Sequence, residues 1–214
     1  MKGFYVHIIE SPSADDLLNN VREGFLLTEG LRIAGIKSYF NLVIDEASFL
    51  KAIYPNLAIG IKNYGTPIIH ISAHGNKEGV QLSNNFFITW EKLRNILSPI
   101  NASLNDLLIL CISSCDGFCG CTMAMESHDH YPFFGLVGPT AEISISDTAI
   151  AFLTFYYRLF KGTSVQEAVE AMKTASGNTK FDVILAEVAR AIWIQKIQKL
   201  VTSQVLQTIN QKTK

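Results

Sequence analysis

A histidine and a cysteine, each followed by a glycine-containing turn sequence, are the side chains whose chemistry stands out. His74 precedes Gly75, and Cys115 precedes Asp116 and a second glycine. A thiol nucleophile needs a group that moves protons, and an imidazole titrates in the required range. Glycine lets the backbone turn sharply and lets a substrate chain approach. These residues predict a thiol hydrolase site in which the N–H groups of Gly75 and Cys115 face a developing oxyanion.

Each of the two side chains also has an ordinary structural interpretation. Many sheets end a strand in histidine or cysteine, and His74 would then be a hydrogen-bonded loop histidine. Cys115 would be a small buried apolar side chain. From residue types alone, both interpretations stay open.

The segments that precede the two residues are apolar and typical of buried strands. Ile68–Ala73 leads into His74, and Leu107–Ile112 leads, through two serines, into Cys115. In an open parallel sheet, sites form beyond the carboxyl ends of the strands. If these strands are neighbours, the imidazole and the thiol meet at one edge of the sheet.

Strands and helices alternate along nearly the whole chain, which predicts an α/β fold with a mostly parallel sheet covered on both faces. A capping box at Ser13–Asp16 begins a helix that carries Leu17, Leu18, Val21, Phe25 and Leu26 at helical spacing. A long amphipathic helix is predicted from about Asp182 to Ile209. We expect a single domain over residues 1–214, with a core of about 1–175 and a C-terminal helical segment of about 181–210.

The composition limits which binding partners and which cellular compartment are expected. The 214 residues are 48% hydrophobic and 17% charged, with a net charge of −1. No basic field indicates nucleic acid or an anionic membrane surface. The four cysteines all lie between positions 111 and 121, which favours reduced thiols over a disulfide framework. With no signal peptide evident at the N-terminus, we expect a cytoplasmic protein that contacts neither nucleic acid nor membrane.

Several segments together resemble a known family. Ile71–Gly75 resembles the strand-His-Gly motif of caspase-like (clan CD) cysteine peptidases, and Leu107–Cys115 resembles the strand that ends in their nucleophile. Downstream, the chain is similar to the CHAT branch, which is related to caspases and separase. The segments that carry this second likeness are Phe134–Gly138, Ile145–Asp147, Phe155–Tyr157 and Gly162–Ala168. The resemblance spans about residues 66–173.

The resemblance implies a three-layer caspase-like sandwich and peptide-bond cleavage by a Cys-His dyad without a cofactor. Cys115 would attack the scissile carbonyl, and His74 would protonate the leaving amine. The substrate would be a protein or peptide, with a regulatory protein or a second copy of the chain as a further partner. By analogy with the family, the setting would be bacterial defence or cell death.

Two acidic residues are weaker candidates for substrate binding. Asp147 aligns roughly with an acidic position that faces a basic P1 side chain in separase-like relatives, although helix capping explains it as well. Asp116 follows the nucleophile and would line the S1 pocket, or else serve as a turn residue. No arginine matches the P1-reading arginine of caspases, which favours a basic or neutral P1 residue.

Two rival functions remain open at this stage. One is a caspase-fold interaction module without turnover. The other is a thiol- or zinc-responsive protein that uses Cys119, Cys121, His128 and His130, whose types suit zinc although their spacing is unlike that of a zinc knuckle. We expect no metal, and we assign His70 and Cys111 to the core.

Overall fold

Eight strands and nine helices make up the described part of this computed structural model. The structure describes residues 3–126 and 130–212, with side chains through residue 204. The strands are β1 (Phe4–Ser11), β2 (Ser38–Leu42), β3 (Thr66–Asn76), β4 (Gly79–Gln81), β5 (Phe87–Thr89), β6 (Ile109–Ser113), β7 (Gly135–Pro139) and β8 (Phe181–Leu185). The helices are α1 (Ala14–Leu18), α2 (Glu23–Ile33), α3 (Glu46–Lys51), α4 (Leu57–Tyr64), α5 (Trp90–Ser103), α6 (Thr122–Met125), α7 (Ile145–Phe160), α8 (Val165–Ser176) and α9 (Ala186–Lys212).

The main sheet has the strand order β2-β1-β3-β6-β7-β8. Its first five strands are parallel, and β8 pairs antiparallel to β7 at the edge. The short strands β4 and β5 form a hairpin that pairs with the far end of β3. This confirms the predicted mostly parallel sheet.

Helices cover both faces of the sheet and create two separate cores. Apolar side chains of α3, α4, α5, α6 and α9 pack on one face. Those of α2, α7 and α8 pack on the other. Successive strand residues point to opposite faces, so Ile69 and Ile71 of β3 enter the first core while Ile68 enters the second. The three-layer sandwich is therefore confirmed.

Local capping signals account for several helix starts. Ser13 forms the predicted capping box, Asp45 and Ser164 form capping boxes at the starts of α3 and α8, and Thr89 caps α5. Pro55 lies in a π-helical turn, Ala52–Asn56, that separates α3 from α4. A proline removes a backbone donor, which explains why the helix divides there.

The helix predicted to follow Ser13 is interrupted, and its apolar pattern was misleading. The chain leaves the helix after Leu18 and turns through Asn20, which has a φ of 57°. Helix α2 then starts at Glu23 and buries Leu27 and Leu31. The apolar side chains whose helical spacing predicted one helix are exposed by 38% to 84%. These are Leu17, Leu18, Val21, Phe25 and Leu26.

The C-terminal segment begins with a strand, where the sequence predicted a helix. Phe181–Leu185 is β8, and the predicted long helix, α9, starts at Ala186. Beyond its first turns, α9 exposes apolar side chains such as Ile192, Leu200 and Val201. Among the described helices, none is long and apolar enough to cross a lipid bilayer.

Candidate active site

The register of two central strands brings the predicted histidine and cysteine to the same edge of the sheet. Strands β3 and β6 are parallel neighbours, and Ser72 of β3 lies beside Ser113 of β6. His74 and Cys115 each come two positions after these paired serines. They thus leave the carboxyl ends of adjacent strands together, as a site in an open parallel sheet requires.

Gly75 lies where the backbone beyond β3 is tightly enclosed. A Cβ at this position would come within 2.8 Å of the Gly79 carbonyl oxygen and 2.9 Å of the Ser114 Oγ. Real side chains do not tolerate such contacts, and the first neighbour is backbone that cannot move away cheaply. Glycine is therefore required for the β3–β4 turn to stand against the loop that carries Cys115.

A cavity of about 230 Å³ joins the two candidate catalytic side chains, because His74 and Cys115 both line it. Its remaining wall comes from the ends of β1, β3 and β6, from α1, from the start of α2 and the segment before it, and from the β7–α7 loop with the first turn of α7. A second cavity of about 230 Å³, next to the β4–β5 hairpin, also includes His74 in its wall. The imidazole therefore borders two depressions of the surface.

Asp16 orients the imidazole of His74. The Asp16 Oδ2 lies 2.7 Å from the His74 Nε2. The same oxygen accepts from the backbone N–H and hydroxyl of Ser13, at 2.9 and 2.6 Å. Partial burial acts to raise the pKa of Asp16, but the hydrogen bonds from Ser13 and His74 outweigh it and lower that pKa. With Nε2 donating to a carboxylate, Nδ1 is the ring nitrogen left for proton transfer.

Asp16 was assigned only a capping role from the sequence. One signal could have revealed its second role, since a capping box directly after β1 lies at the same sheet edge as the ends of β3 and β6. The structure gives one carboxylate both tasks. It caps the first turn of α1 and holds a histidine that is distant in the chain.

We expect Asp16→Asn to lower kcat by about 100-fold, because a misoriented catalytic group loses its near-attack geometry. KM should change little, since the carboxylate bonds to His74. Steady-state kinetics on a peptide substrate gives both constants. Asp45→Asn is the matched control, because Asp45 also forms a capping box but belongs to α3. Equal losses of kcat in the two variants would contradict the orienting role.

The backbone around Cys115 is arranged for an acyl-transfer reaction. No acceptor within the described residues takes the Cys115 N–H, which is thus free to donate to an oxyanion. The Cys115 Sγ lies 4.0 Å from the Ile143 carbonyl oxygen, and the Asp116 N–H donates to the Ala141 carbonyl. The loop after β7 is thereby tied to the nucleophile.

The three other cysteines have environments that suppress the thiolate. Burial raises the pKa of Cys111 to about 12 and that of Cys121 to about 11. Burial, with the nearby Asp116 carboxylate, also raises the pKa of Cys119. Cys111 is fully buried in the core, as predicted. Cys115 is the cysteine that lies in the cavity beside a histidine.

A buried carboxylate that the sequence analysis missed lines the same cavity as the nucleophile. Glu23, the first residue of α2, is 5% exposed and lines the cavity. The Ser72 hydroxyl donates to it at 2.7 Å, and the Ser113 hydroxyl lies 2.7 Å from both of its oxygens. Burial raises the pKa of Glu23 to about 7, although neighbouring hydroxyls oppose the rise.

The tentative substrate-binding residues lie outside the cavity wall. Asp116 adopts a left-handed conformation with a φ of 55°, which suits its alternative role in the turn. Ser144, not Asp147, is the N-cap of α7, and the Asp147 carboxylate accepts from the Asn178 side chain at 3.0 Å. Their roles in substrate binding stay predictions.

The zinc hypothesis falls partly on undescribed residues, since His128 and Asp129 lie outside the described ranges. Within the described ranges, no group of three or more His, Cys, Asp or Glu side chains is placed to hold a metal ion. His70 is a core residue, as predicted. Its Nδ1 bonds to the Tyr156 hydroxyl at 2.7 Å, and burial lowers its pKa to about 3.

The strand order, the two helical layers and the long C-terminal helix define the caspase-like fold of clan CD cysteine peptidases. A secreted C11 cysteine protease from Bacteroides thetaiotaomicron, solved with an irreversible peptide inhibitor, is similar with a TM-score of 0.58 at 10% identity, over 87% of this chain and 67% of that one. The Arg-specific cysteine proteinase gingipain R is similar with a TM-score of 0.50 at 11% identity, over 80% of this chain and 41% of that one.

A complex of the pro- and mature domains of RgpB from Porphyromonas gingivalis gives a TM-score of 0.53 at 10% identity, over 86% of this chain and 48% of that one. The chain thus spans less than half the length of either gingipain chain. Neither a protein-family model nor a curated protein sequence matches it. At such low identity, the likeness concerns the fold alone.

Proposed function

We propose that the chain is a cysteine endopeptidase in which Cys115 is the nucleophile, His74 the proton carrier and Asp16 the group that orients His74. The observation that carries this proposal is the single cavity lined by both His74 and Cys115 at the ends of adjacent parallel strands. The fold, shared with cysteine proteases of solved structure, supports it.

In the first half of the reaction, His74 removes the thiol proton and the Cys115 sulfur bonds to the scissile carbonyl carbon. The N–H groups of Cys115 and Gly75 hold the negative oxygen of the tetrahedral intermediate. His74 then passes its proton to the leaving nitrogen as the C–N bond breaks, which leaves a thioester and frees the amine product.

In the second half, His74 accepts a proton from water as the water oxygen attacks the thioester carbonyl. The C–S bond breaks, the acid product leaves, and the proton returns to the sulfur. Asp16 stabilises the imidazolium that forms in each half, because its carboxylate stays bonded to Nε2 while Nδ1 gains and loses the proton. The reaction needs no cofactor.

Covalent labelling tests this assignment directly. A set of peptidyl chloromethyl ketones that differ only in the P1 residue (Arg, Lys, Asp or Leu) is incubated with the protein, and the adduct is mapped by mass spectrometry. We expect one adduct per chain, on Cys115, formed much faster than the adduct with iodoacetamide. Iodoacetamide serves as the control for a thiol that is merely accessible.

A peptide adduct on Cys119, or none on any cysteine with all four reagents, would speak against the peptidase. The first result would favour the thiol-responsive alternative. The second would favour a caspase-fold interaction module, which binds partners without turnover.

Finer features of the proposal rest on the sequence. We place the chain in the CHAT branch on its downstream segments, and in the cytoplasm on the clustering of its cysteines. We propose a protein substrate and a regulatory role, in line with the bacterial defence and cell-death settings of that branch. The exposed apolar side chains of α9 are where we expect a regulatory protein or a second copy to bind.

A further inference from the structure

We infer that the cavity beside Cys115 is a cation-recognition pocket, in which the Glu23 carboxylate binds the guanidinium or ammonium group of an arginine or lysine P1 side chain. This inference rests on the proposed function for the identity of its ligand. Its structural basis is separate, and consists of the charge lining the cavity, the burial of one carboxylate, and the lack of a counterion for it among the described residues.

The wall of the cavity is acidic. Four carboxylates line it, those of Glu10, Asp16, Glu23 and Glu142, and no lysine or arginine does. Carboxylates enclosed by protein focus a negative potential into a cleft, because little water is present to screen them. An acidic P1 side chain would be repelled, and a cationic one would be attracted.

Two of these carboxylates already have a partner. Glu10 accepts from the Gly24 N–H at 2.7 Å, and its ion-pair partner Arg22 lies 3.4 Å away. Arg22 also lies over the rings of two phenylalanines, and its ion pair within the described residues is with Glu10. Asp16 is bonded to His74.

Glu23 and Glu142 are the two carboxylates that form no ion pair among the described residues, and of these Glu142 is exposed whereas Glu23 is buried. Within residues 3–126 and 130–212, no basic side chain forms an ion pair with it, although it is only 5% exposed. The hydroxyls of Ser72 and Ser113 hold it in one position by hydrogen bonds. A buried charge is costly unless it is paired, so a ligand that brings the missing positive charge recovers a large interaction.

A further buried polar group near the nucleophile also lacks a partner. Ser114, which lines the same cavity, is 4% exposed, and its Oγ makes no hydrogen bond within the described residues.

The cavity volume of about 230 Å³ is below the range of about 300–1,000 Å³ that drug-sized ligands occupy. That size suits one side chain of a peptide, with the scissile bond left at the rim beside His74 and Cys115.

Glu23 reaches the pocket because the chain is interrupted between α1 and α2. The carboxylate comes from the first residue of α2, and the serines that hold it come from β3 and β6, just before the two catalytic residues. An arginine or lysine whose side chain binds Glu23 would therefore have its backbone two strand positions further on, beside the nucleophile.

The test uses two peptides that differ only at P1, one with arginine and one with citrulline, its uncharged isostere. At pH 8 we expect the wild-type protein to show a kcat/KM at least about 100-fold higher for the arginine peptide, as is typical when a site's buried charge is left unpaired. Glu23→Gln should bring that ratio close to one. Glu29→Gln, on the exposed side of the same helix, should leave the ratio unchanged.

Binding to an inactive protein separates this inference from the proposed function. In Cys115→Ala, calorimetry should show that N-acetyl-arginine methylamide binds and that the citrulline analogue binds about 100-fold more weakly. The additional change Glu23→Gln should abolish the difference. Cation-selective binding to Cys115→Ala, with no turnover by the wild-type protein, would support the cation-recognition pocket and contradict the peptidase function.

Equal kcat/KM values and equal affinities for the arginine and citrulline compounds would contradict the cation-recognition pocket but not the proposed peptidase function. So would an arginine preference that survives Glu23→Gln. A preference for the citrulline peptide would show that Glu23 acts as a neutral hydrogen-bonding acid, which also contradicts cation recognition.

Discussion

Cys115→Ala is expected to lower peptide cleavage by about 10⁴-fold or more, because the covalent step then has no nucleophile. The remaining parts of the site would still bind substrate, so KM should stay near its wild-type value wherever residual turnover can be measured. Discontinuous assays with mass-spectrometric detection of the product have the range that this requires.

The matched control for this variant is Cys119→Ala, which removes a second partly buried thiol from the same segment. Burial and Asp116 raise the pKa of Cys119, so its sulfur is a poor nucleophile at neutral pH. We expect at least half of the wild-type activity to remain. Thermal unfolding checks both proteins, and we expect both to remain folded, since the hydrogen bond of the Cys115 thiol is a long one of 4.0 Å to the Ile143 carbonyl.

Glu23→Gln is expected to stabilise the folded protein at pH 8, although it should destroy cation recognition. Burial raises the pKa of Glu23 from 4.5 to about 7, so ionising this carboxyl in the folded state costs free energy. Glutamine keeps the shape and an acceptor for the serine hydroxyls but carries no charge. The pocket thus gains its specificity at the expense of stability, a common feature of functional sites.

The direction in which stability changes with pH follows from proton binding at Glu23. Between pH 4.5 and about 7 the folded protein holds more protons at Glu23 than the unfolded chain does, so stability falls as the pH rises through that window. Below the window the contribution is fully present, and above it the contribution is lost. From 1.36 kcal/mol per pKa unit, the wild-type protein should lose on the order of 3 kcal/mol relative to Glu23→Gln between pH 4.5 and pH 8.

Urea unfolding of both proteins across this pH range measures the difference. The comparison isolates Glu23, because both proteins keep the titratable groups that interact with it, Glu10 from β1 and Tyr156 from α7, and the Asp16–His74 pair that lines the same cavity. Glu29→Gln corrects for the change in net charge. A constant difference between wild type and Glu23→Gln at every pH would refute the raised pKa.

Much of the fold could be predicted because its signals are local. Apolar β-branched segments, four helix caps and Pro55 each act within a few residues, and the structure agrees with them. Strand β8 was missed because Phe181–Leu185 fits either a short strand or the start of a helix. Its pairing with β7 decides the matter, and that contact is tertiary.

The candidate site was predictable only where a strand carries a side chain directly into it. His74 and Cys115 follow strands, so the parallel arrangement placed them together. Asp16 and Glu23 reach the cavity because the chain turns at Asn20, whereas the leucines on either side suggested one continuous helix. The left-handed conformation of Asn20 and the hydrogen bond from Asp16 to His74 determine where these carboxylates lie. Neither feature can be predicted from the helical spacing of apolar residues.

Helix α1 gives the site a weak point that the rest of the molecule does not share. None of its five residues is buried, so hydrogen bonds from Ser13, rather than a packed face, keep it wound. Isolated single turns of this kind fray readily in water. Fraying would release Asp16 and let the imidazole rotate, so we expect catalytic activity to be lost at a lower temperature than that at which the sheet unfolds.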